Sequence, residues 1–231
     1  MFSVVIPIYN EGKNLNSLIR EIKAALTNFE DYELIFVNDC STDNTIKILE
    51  EEMKNFSFKL FNNVTNLGQS HSILTGIKNA KYNIIVTLDG DGQNNPKDIL
   101  KLVDCYLQND DISLVGGIRI KRKDKLIKIF SSKVANFIRS KYLNDNCADT
   151  GCSLKVFDKK IFLNFDYFNG IHRFIPALFN GFGYNTIFLN VDHRKRIHGK
   201  SKYGTFLRLI NGLKDMFKVK KIIEENNKSK P

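Results

Sequence analysis

The chain has 231 residues, 42% hydrophobic and 26% charged, which excludes a disordered chain, a collagen-like repeat and a small disulfide scaffold. Its formal charge of +10 is unevenly spread: residues 1–118 carry 10 Lys/Arg against 16 Asp/Glu, and residues 119–231 carry 25 against 9. An acidic half of net −6 is therefore followed by a basic half of net +16, a polarity that suits an anionic partner such as nucleic acid, a membrane face or a phosphorylated substrate.

The apolar, β-branched runs Ser3–Ile8, Glu33–Asn38 and Asn83–Leu88 predict buried parallel strands. Between the first two, Leu15, Leu18, Ile19, Ile22 and Leu26 recur at helical spacing. Ile46, Leu49 and Met53 do so after the cap-like Ser41-Thr42-Asp43. Phe58–Asn62 predicts a further strand and Ser70–Ala80 a helix; Asn95-Pro96 starts another helix, with Ile99, Leu102, Val103 and Tyr106 inward. Ser113–Ile118, Ser153–Phe157 and Thr186–Val191 predict strands in the second half. Asp124–Leu143 and Thr205–Ile223 predict helices with Lys and Arg between the apolar positions, and 224–231 a frayed polar tail. Strands alternating with helices imply an α/β fold with a mostly parallel central sheet flanked by helices. The expected organisation is one domain over 1–204, with an acidic half (1–118) and a basic half (119–204), then an amphipathic helix over 205–223.

No window approaches the roughly 18–20 apolar residues of a membrane-spanning helix, and Met1–Pro7 lacks the features of a signal peptide. The four cysteines include no C-x-x-C pair, so a reduced, cytoplasmic compartment is expected.

Ligands of open α/β sheets bind beyond the carboxyl ends of the strands. Acids follow all three of the first parallel strands: Glu11 after the first, Asp39 and Asp43 after the second, Asp89 and Asp91 after the third. Asp89 and Asp91 sit one glycine apart and can both reach one hard cation such as Mg²⁺, with the Gln93 amide oxygen as a third ligand; Gly90 and Gly92 leave room for a ligand against the backbone. Asp39 could bind a nucleobase or ribose, or cap the helix starting near Ser41. Tyr9 could stack on a base or simply pack, and Glu11 could bind ribose or favour a helix N-terminus.

Together these motifs resemble the family 2 glycosyltransferases, and within them the branch that loads a sugar onto a polyprenyl phosphate, the dolichyl-phosphate mannose synthase type. The resemblance runs through Val4–Glu11, Phe36–Thr45, Asn66-Leu67-Gly68, Asp89–Gln93, Gly116–Arg119, Asp149–Cys152 and His193–Tyr203. It departs at Asn38, where an acid is common, and at Cys152-Ser153, where an aromatic–basic pair is usual. The resemblance implies a GT-A-type nucleotide-sugar fold and a metal-dependent, inverting transfer using Mg²⁺ or Mn²⁺. Pro7, Tyr9, Glu11, Asp39, Asp89 and Gly90 would contact a GDP- or UDP-linked sugar, and Asp89, Asp91 and Gln93 the metal. Arg119, Arg194, Arg196, Ser201 and Lys202 would bind phosphates. An acceptor phosphate is already an anionic nucleophile; a saccharide or lipopolysaccharide hydroxyl would need a carboxylate base, for which Asp149 is the candidate, its alternative being a turn cap.

The basic second half then suits an anionic membrane surface. Arg119–Lys141 has nine Lys/Arg and one acid, and the C-terminal helix pairs Phe206, Leu209, Ile210, Leu213 and Phe217 with five Lys/Arg. Docking of that helix onto the sheet is the competing expectation. The expected location is peripheral, on the cytoplasmic face, with room for an integral membrane partner. A nucleic-acid-binding module is disfavoured, since the acidic strand ends would repel a phosphate backbone.

Overall fold

The computed structural model describes residues 1–120, 136–196, 198 and 205–228, with side chains of the last helix described from residue 212 onward. Seven strands form one sheet: β1 (Phe2–Ile8), β2 (Tyr32–Asn38), β3 (Lys59–Asn62), β4 (Ile84–Thr87), β5 (Ile112–Arg119), β6 (Lys155–Asp158) and β7 (Asn185–Val191). Their spatial order is β3-β2-β1-β4-β6-β5-β7. β1 pairs in parallel with β2 and β4, β2 with β3, and β5 with β7.

Period-two alternation in β1 explains why the strand is apolar throughout. Val4, Ile6 and Ile8 join one core with Leu15, Leu18 and Ile22 of α1 (Gly12–Ala25) and Leu49 of α2 (Thr45–Glu52). Val5 faces the other core, with Ile73 and Ile77 of α3 (Gln69–Lys78). α4 (Asp98–Leu107) returns to the first core through Ile99, Leu102 and Val103.

β6 is the departure from the parallel pattern, running antiparallel to both β4 and β5. It therefore enters the sheet from the edge where β1, β2, β4, β5 and β7 end. The turn that precedes it, 149–154, is delivered to that same rim, as is Arg119 at the end of β5.

The expected helix Asp124–Leu143 is described only over residues 136–143, which are helical (α5); the rest of it lies outside the described residues. Two helices, α6 (Lys159–Leu163) and α7 (Ile175–Gly181), and a 3₁₀ turn (Ile171–Arg173) fill a stretch whose apolar residues follow no clear period. Their Phe162, Phe174 and Phe179 pack with Phe157 and Phe165 into the second core. The last helix, α8 (Thr205–Lys228), docks there too, burying Met216, Val219 and Ile223. It runs five residues past the expected end at Ile223, with Glu224 and Glu225 lying 3.8 and 3.6 Å from Lys220 and Lys221 one turn back.

Candidate active site

The ends of β1 and β2 are tied together by short polar links. Asn10, at φ +51°, accepts from the Thr42 amide at 2.7 Å, and the Glu11 amide donates to Thr45 Oγ1 at 3.1 Å. Glu11 is buried and accepts from Asn14 at 2.6 Å. Pro7 lies within β1 opposite Val37, and Tyr9 follows the strand at its half-buried end. Asp39 does not cap α2: Asn44 occupies that position, and Asp43 accepts from the Thr45 amide at 3.0 Å. The Asp39 carboxylate instead grips the 63–68 loop, accepting from Asn63 (2.7 Å), the Leu67 amide (2.9 Å) and the Gly68 amide (2.8 Å). That loop contact was not legible in the sequence.

β4 delivers the acidic pair. Burial, and after it the charge of Asp91, push the Asp89 carboxyl up to about 6. Gln69, the first residue of α3, donates to Asp89 Oδ1 at 2.7 Å. Gly90 lets the backbone between the two acids sit close to β1: a Cβ there would lie 2.1 Å from Ile8 Cδ1, which would have to move, and 3.3 Å from the Pro7 carbonyl. Asp91 accepts from the Gln93 amide at 3.0 Å and pairs with the Arg196 guanidinium, whose other arm lies 3.8 Å from Glu11. Burial works against the charge on Arg196, but Asp91 outweighs it and raises the guanidinium above its usual value.

Arg196 arrives there because 193–196 runs alongside the acidic loop. Asn94 and His193 form an antiparallel bridge, the Arg194 amide donates to the Gln93 carbonyl at 2.9 Å, and Gln93 Nε2 donates to the Arg194 carbonyl at 3.2 Å. The side chain of Arg194 points elsewhere, pairing with Glu21 and with Asn95 Oδ1 at 2.8 Å. It therefore does not join Arg196 beside Asp91. Ser201 and Lys202 lie outside the described residues.

Arg119 and Asp149 form a bidentate pair, Nε to Oδ2 and Nη2 to Oδ1 at 2.7 Å each, with the Arg119 amide on Oδ2 at 3.2 Å. The side chains are only 16% and 7% exposed. Burial opposes the Arg119 charge, yet the Asp149 bonds hold it above its usual value. A Cβ on Gly151 would lie 2.7 Å from Arg119 Nη2, so a side chain there would push the guanidinium off its seat on Asp149. Behind the pair stands Lys155, missed in the sequence because it falls inside an apolar strand. It is buried, donates to the Cys152 and Thr150 carbonyls, and burial lowers its pKa.

Among the described residues no three His, Cys, Asp or Glu side chains gather into a closed metal cage. Asp89 and Asp91 still suit Mg²⁺ or Mn²⁺, since such ions use one or two carboxylates and complete their shell with water and substrate phosphate. The observation that favours this fit is the charge crowding itself: two neighbouring carboxylates, one of them driven toward its neutral form, that a divalent cation would relieve.

Comparison with known proteins agrees with this geometry. The model of the family described as Glycosyl transferase family 2 matches residues 3–165. The undecaprenyl-phosphate 4-deoxy-4-formamido-L-arabinose transferase of Aeromonas hydrophila is 34% identical over 219 residues, covering 94% of this chain and 66% of that protein. The dodecaprenyl-phosphate galacturonate synthase of Rhizobium johnstonii is 34% identical over 224 residues, covering 93% and 66%. The chain thus spans about 66% of the length of these curated relatives. Among solved structures, glucosyl-3-phosphoglycerate synthase of Mycobacterium tuberculosis, in complex with Mn²⁺ and UDP-glucose, superposes with a TM-score of 0.73 at 16% identity, covering 95% of this chain and 78% of that one. That likeness establishes the GT-A-like fold.

Proposed function

We propose that this chain, which belongs to glycosyl transferase family 2, moves a sugar from a nucleoside-diphosphate sugar to a polyprenyl phosphate, with inversion, at a membrane surface. The observation that carries the reading is the carboxylate pair Asp89/Asp91 at the end of β4, with Arg196 bonded to it and the Arg119–Asp149 pair on the same rim. Such a rim suits two phosphate-bearing reactants that must be brought together despite their mutual repulsion.

The acceptor phosphate is ionised near neutral pH. One of its oxygens forms the bond to the anomeric carbon while the bond from that carbon to the donor diphosphate breaks on the opposite face. No proton has to be removed, so the chain needs to bind and orient rather than to supply a base. Asp149 fits this division of labour: clamped by three donors of Arg119, it fixes the guanidinium and is poorly placed to take a proton from a hydroxyl. Arg119 and Arg196 would orient phosphates by charge-assisted hydrogen bonds, and Tyr9, Glu11 and Asp39 would line the nucleoside end. A Mg²⁺ or Mn²⁺ ion held by Asp89 and Asp91, with Gln93 beside them, would offset the diphosphate charge and ease departure of the nucleoside diphosphate.

The relatives support the acceptor class more than the sugar. Their names share a polyprenyl phosphate but differ between a formamido-arabinose and a galacturonate. The surface supports a membrane location. Phe137, Ile138 and Tyr142 of α5 and Leu213 and Phe217 of α8 are exposed, with Tyr142 and Phe217 in edge contact at 5.5 Å. Lys141 and Lys220 lie over the Phe137 and Tyr142 rings. An apolar patch edged with lysines suits an anionic bilayer, and Thr150, next to Asp149, reaches Asn136 of α5 at 3.4 Å, so patch and site adjoin. Among the described residues no helix is long and apolar enough to cross a membrane. The four cysteines are free thiols, which supports the cytoplasmic face as the location.

The test supplies UDP- and GDP-linked sugars, Mn²⁺ and detergent-dispersed polyprenyl phosphate as sole acceptor. Lipid-linked sugar is the expected product. Transfer to an oligosaccharide with none to the lipid would overturn the acceptor assignment.

A further inference from the structure

We infer that Gln69 is a positioning residue that sets Asp89 for the donor's divalent cation; the inference rests on the reading of Asp89 as a metal ligand. Three observations place it. Gln69 opens α3, and its side-chain amide donates to Asp89 Oδ1 at 2.7 Å across 20 residues of sequence. The amide nitrogen of Gln69, not its oxygen, faces Asp89.

The backbone that aims Gln69 is itself held. Asp39 takes the Leu67 and Gly68 amides at 2.9 and 2.8 Å, and Asn66 Nδ2 returns to the Asp39 carbonyl at 3.2 Å. Gly68 turns the chain into α3 at φ +87°, a conformation that glycine adopts without steric cost. One residue on, Ser70 is buried and bonded to the Gly170 amide at 2.9 Å and to His172 Nδ1 at 2.6 Å, which anchors the start of the helix from the other side.

The result is a turn fixed at both ends that reaches from Asp39 to Asp89. A carboxylate held at one oxygen by a rigid donor is confined to one orientation, so less ordering remains to be done when a cation arrives. The amide also carries no charge, and so orients Asp89 without competing for the site as a lysine or arginine there would.

Loss of such an outer partner typically weakens metal affinity 10–100-fold. Gln69→Met keeps the length of the side chain and removes the donor. Mn²⁺ binding, followed by electron paramagnetic resonance with UDP or GDP present, is expected to weaken about tenfold, with the metal-free melting temperature unchanged. Gln69→Asn keeps the amide but shortens its reach, and is expected to resemble Gln69→Met. Asp39→Asn, which loosens the turn from a distance, is expected to weaken Mn²⁺ binding in the same direction but less.

Unchanged Mn²⁺ affinity in a folded Gln69→Met chain would overturn the role of Gln69 alone. Full affinity in Gln69→Asn would also overturn it, because geometry would then not matter. A wild-type chain that binds no Mn²⁺ even with UDP or GDP present would instead overturn the metal reading itself, and this assignment with it.

Discussion

The two halves of the molecule build one rim by different means. In the first, the functional side chains stand at or just beyond the ends of parallel strands, where the sheet fixes their places: Glu11 after β1, Asp39 after β2, Asp89 and Asp91 after β4. In the second, the cations reach the rim from a strand end and from a segment laid along the acidic loop, and an acid partner holds each one. Arg119 rests on Asp149, and Arg196 on Asp91 and Glu11. Backbone geometry places the acids, whereas charge pairing places the bases. The first kind of placement should survive loss of a single side chain, and the second should not.

Asp91→Ala is the sharpest way to probe the first half. The strand end should persist, with the melting temperature near that of the wild type, while transfer falls by about 10²–10³-fold through loss of electrostatic stabilisation. Retained turnover, measured with saturating donor, would remove the carboxylate pair from the chemistry. Asp149→Asn probes the second half, because it leaves the buried Arg119 without its counter-charge. Breaking a buried pair from one side costs about 3–5 kcal/mol, which urea unfolding would register.

Arg196→Met separates the two halves at their point of contact. Removing the guanidinium from Asp91 frees that carboxylate, so Mn²⁺ should bind several-fold more tightly without donor while nucleoside diphosphate binds more weakly. Isothermal titration of each ligand reads both signs, and weaker Mn²⁺ binding would contradict the pairing as a competitor.

A smaller effect follows from Asp89. Its folded pKa is raised, so between the ordinary carboxylate range and about pH 6 the native state holds more protons than the unfolded chain. Stability of the metal-free protein should therefore fall as pH rises through that window, and Mn²⁺ should offset the loss above it. Melting curves at stepped pH, with and without Mn²⁺, would show both trends.

Smallest for the chemistry is the apolar patch. Phe137→Ser with Phe217→Ser should release the chain from phosphatidylglycerol vesicles in sedimentation, yet leave turnover of a short, water-soluble prenyl phosphate unchanged. Point changes are preferable to removing α8, whose Met216, Val219 and Ile223 belong to the core.

Much of the first half was legible because buried parallel strands announce themselves as β-branched runs and end where polar residues begin. The family resemblance extended this to Arg119 and Arg196. What stayed hidden depended on long-range contacts. Asp39 looked like a nucleoside contact or a cap, and its hold on Leu67 and Gly68 needs β2 and β3 side by side. Arg194 and Arg196 are two residues apart and read alike, yet one pairs with Glu21 and the other with Asp91. α6 and α7 are short and so rich in phenylalanine that no polar face marks their period. Gln69 is an ordinary polar residue after Gly68, and only the fold brings it to Asp89.

The strip 193–196 is held against the acidic loop in fixed register with Asn94 and Gln93. Along it Arg194 turns to Glu21 and Asn95, Lys195 stands exposed, and Arg196 turns to Asp91 and Glu11. Shortening the chain by one residue just upstream of Lys195 would shift Arg196 out of step with Asp91 while the bridge at His193 stayed in place. The spacing between the end of β7 and Arg196 thus behaves like a reading frame, tolerant of changed letters at Lys195 but not of a changed count.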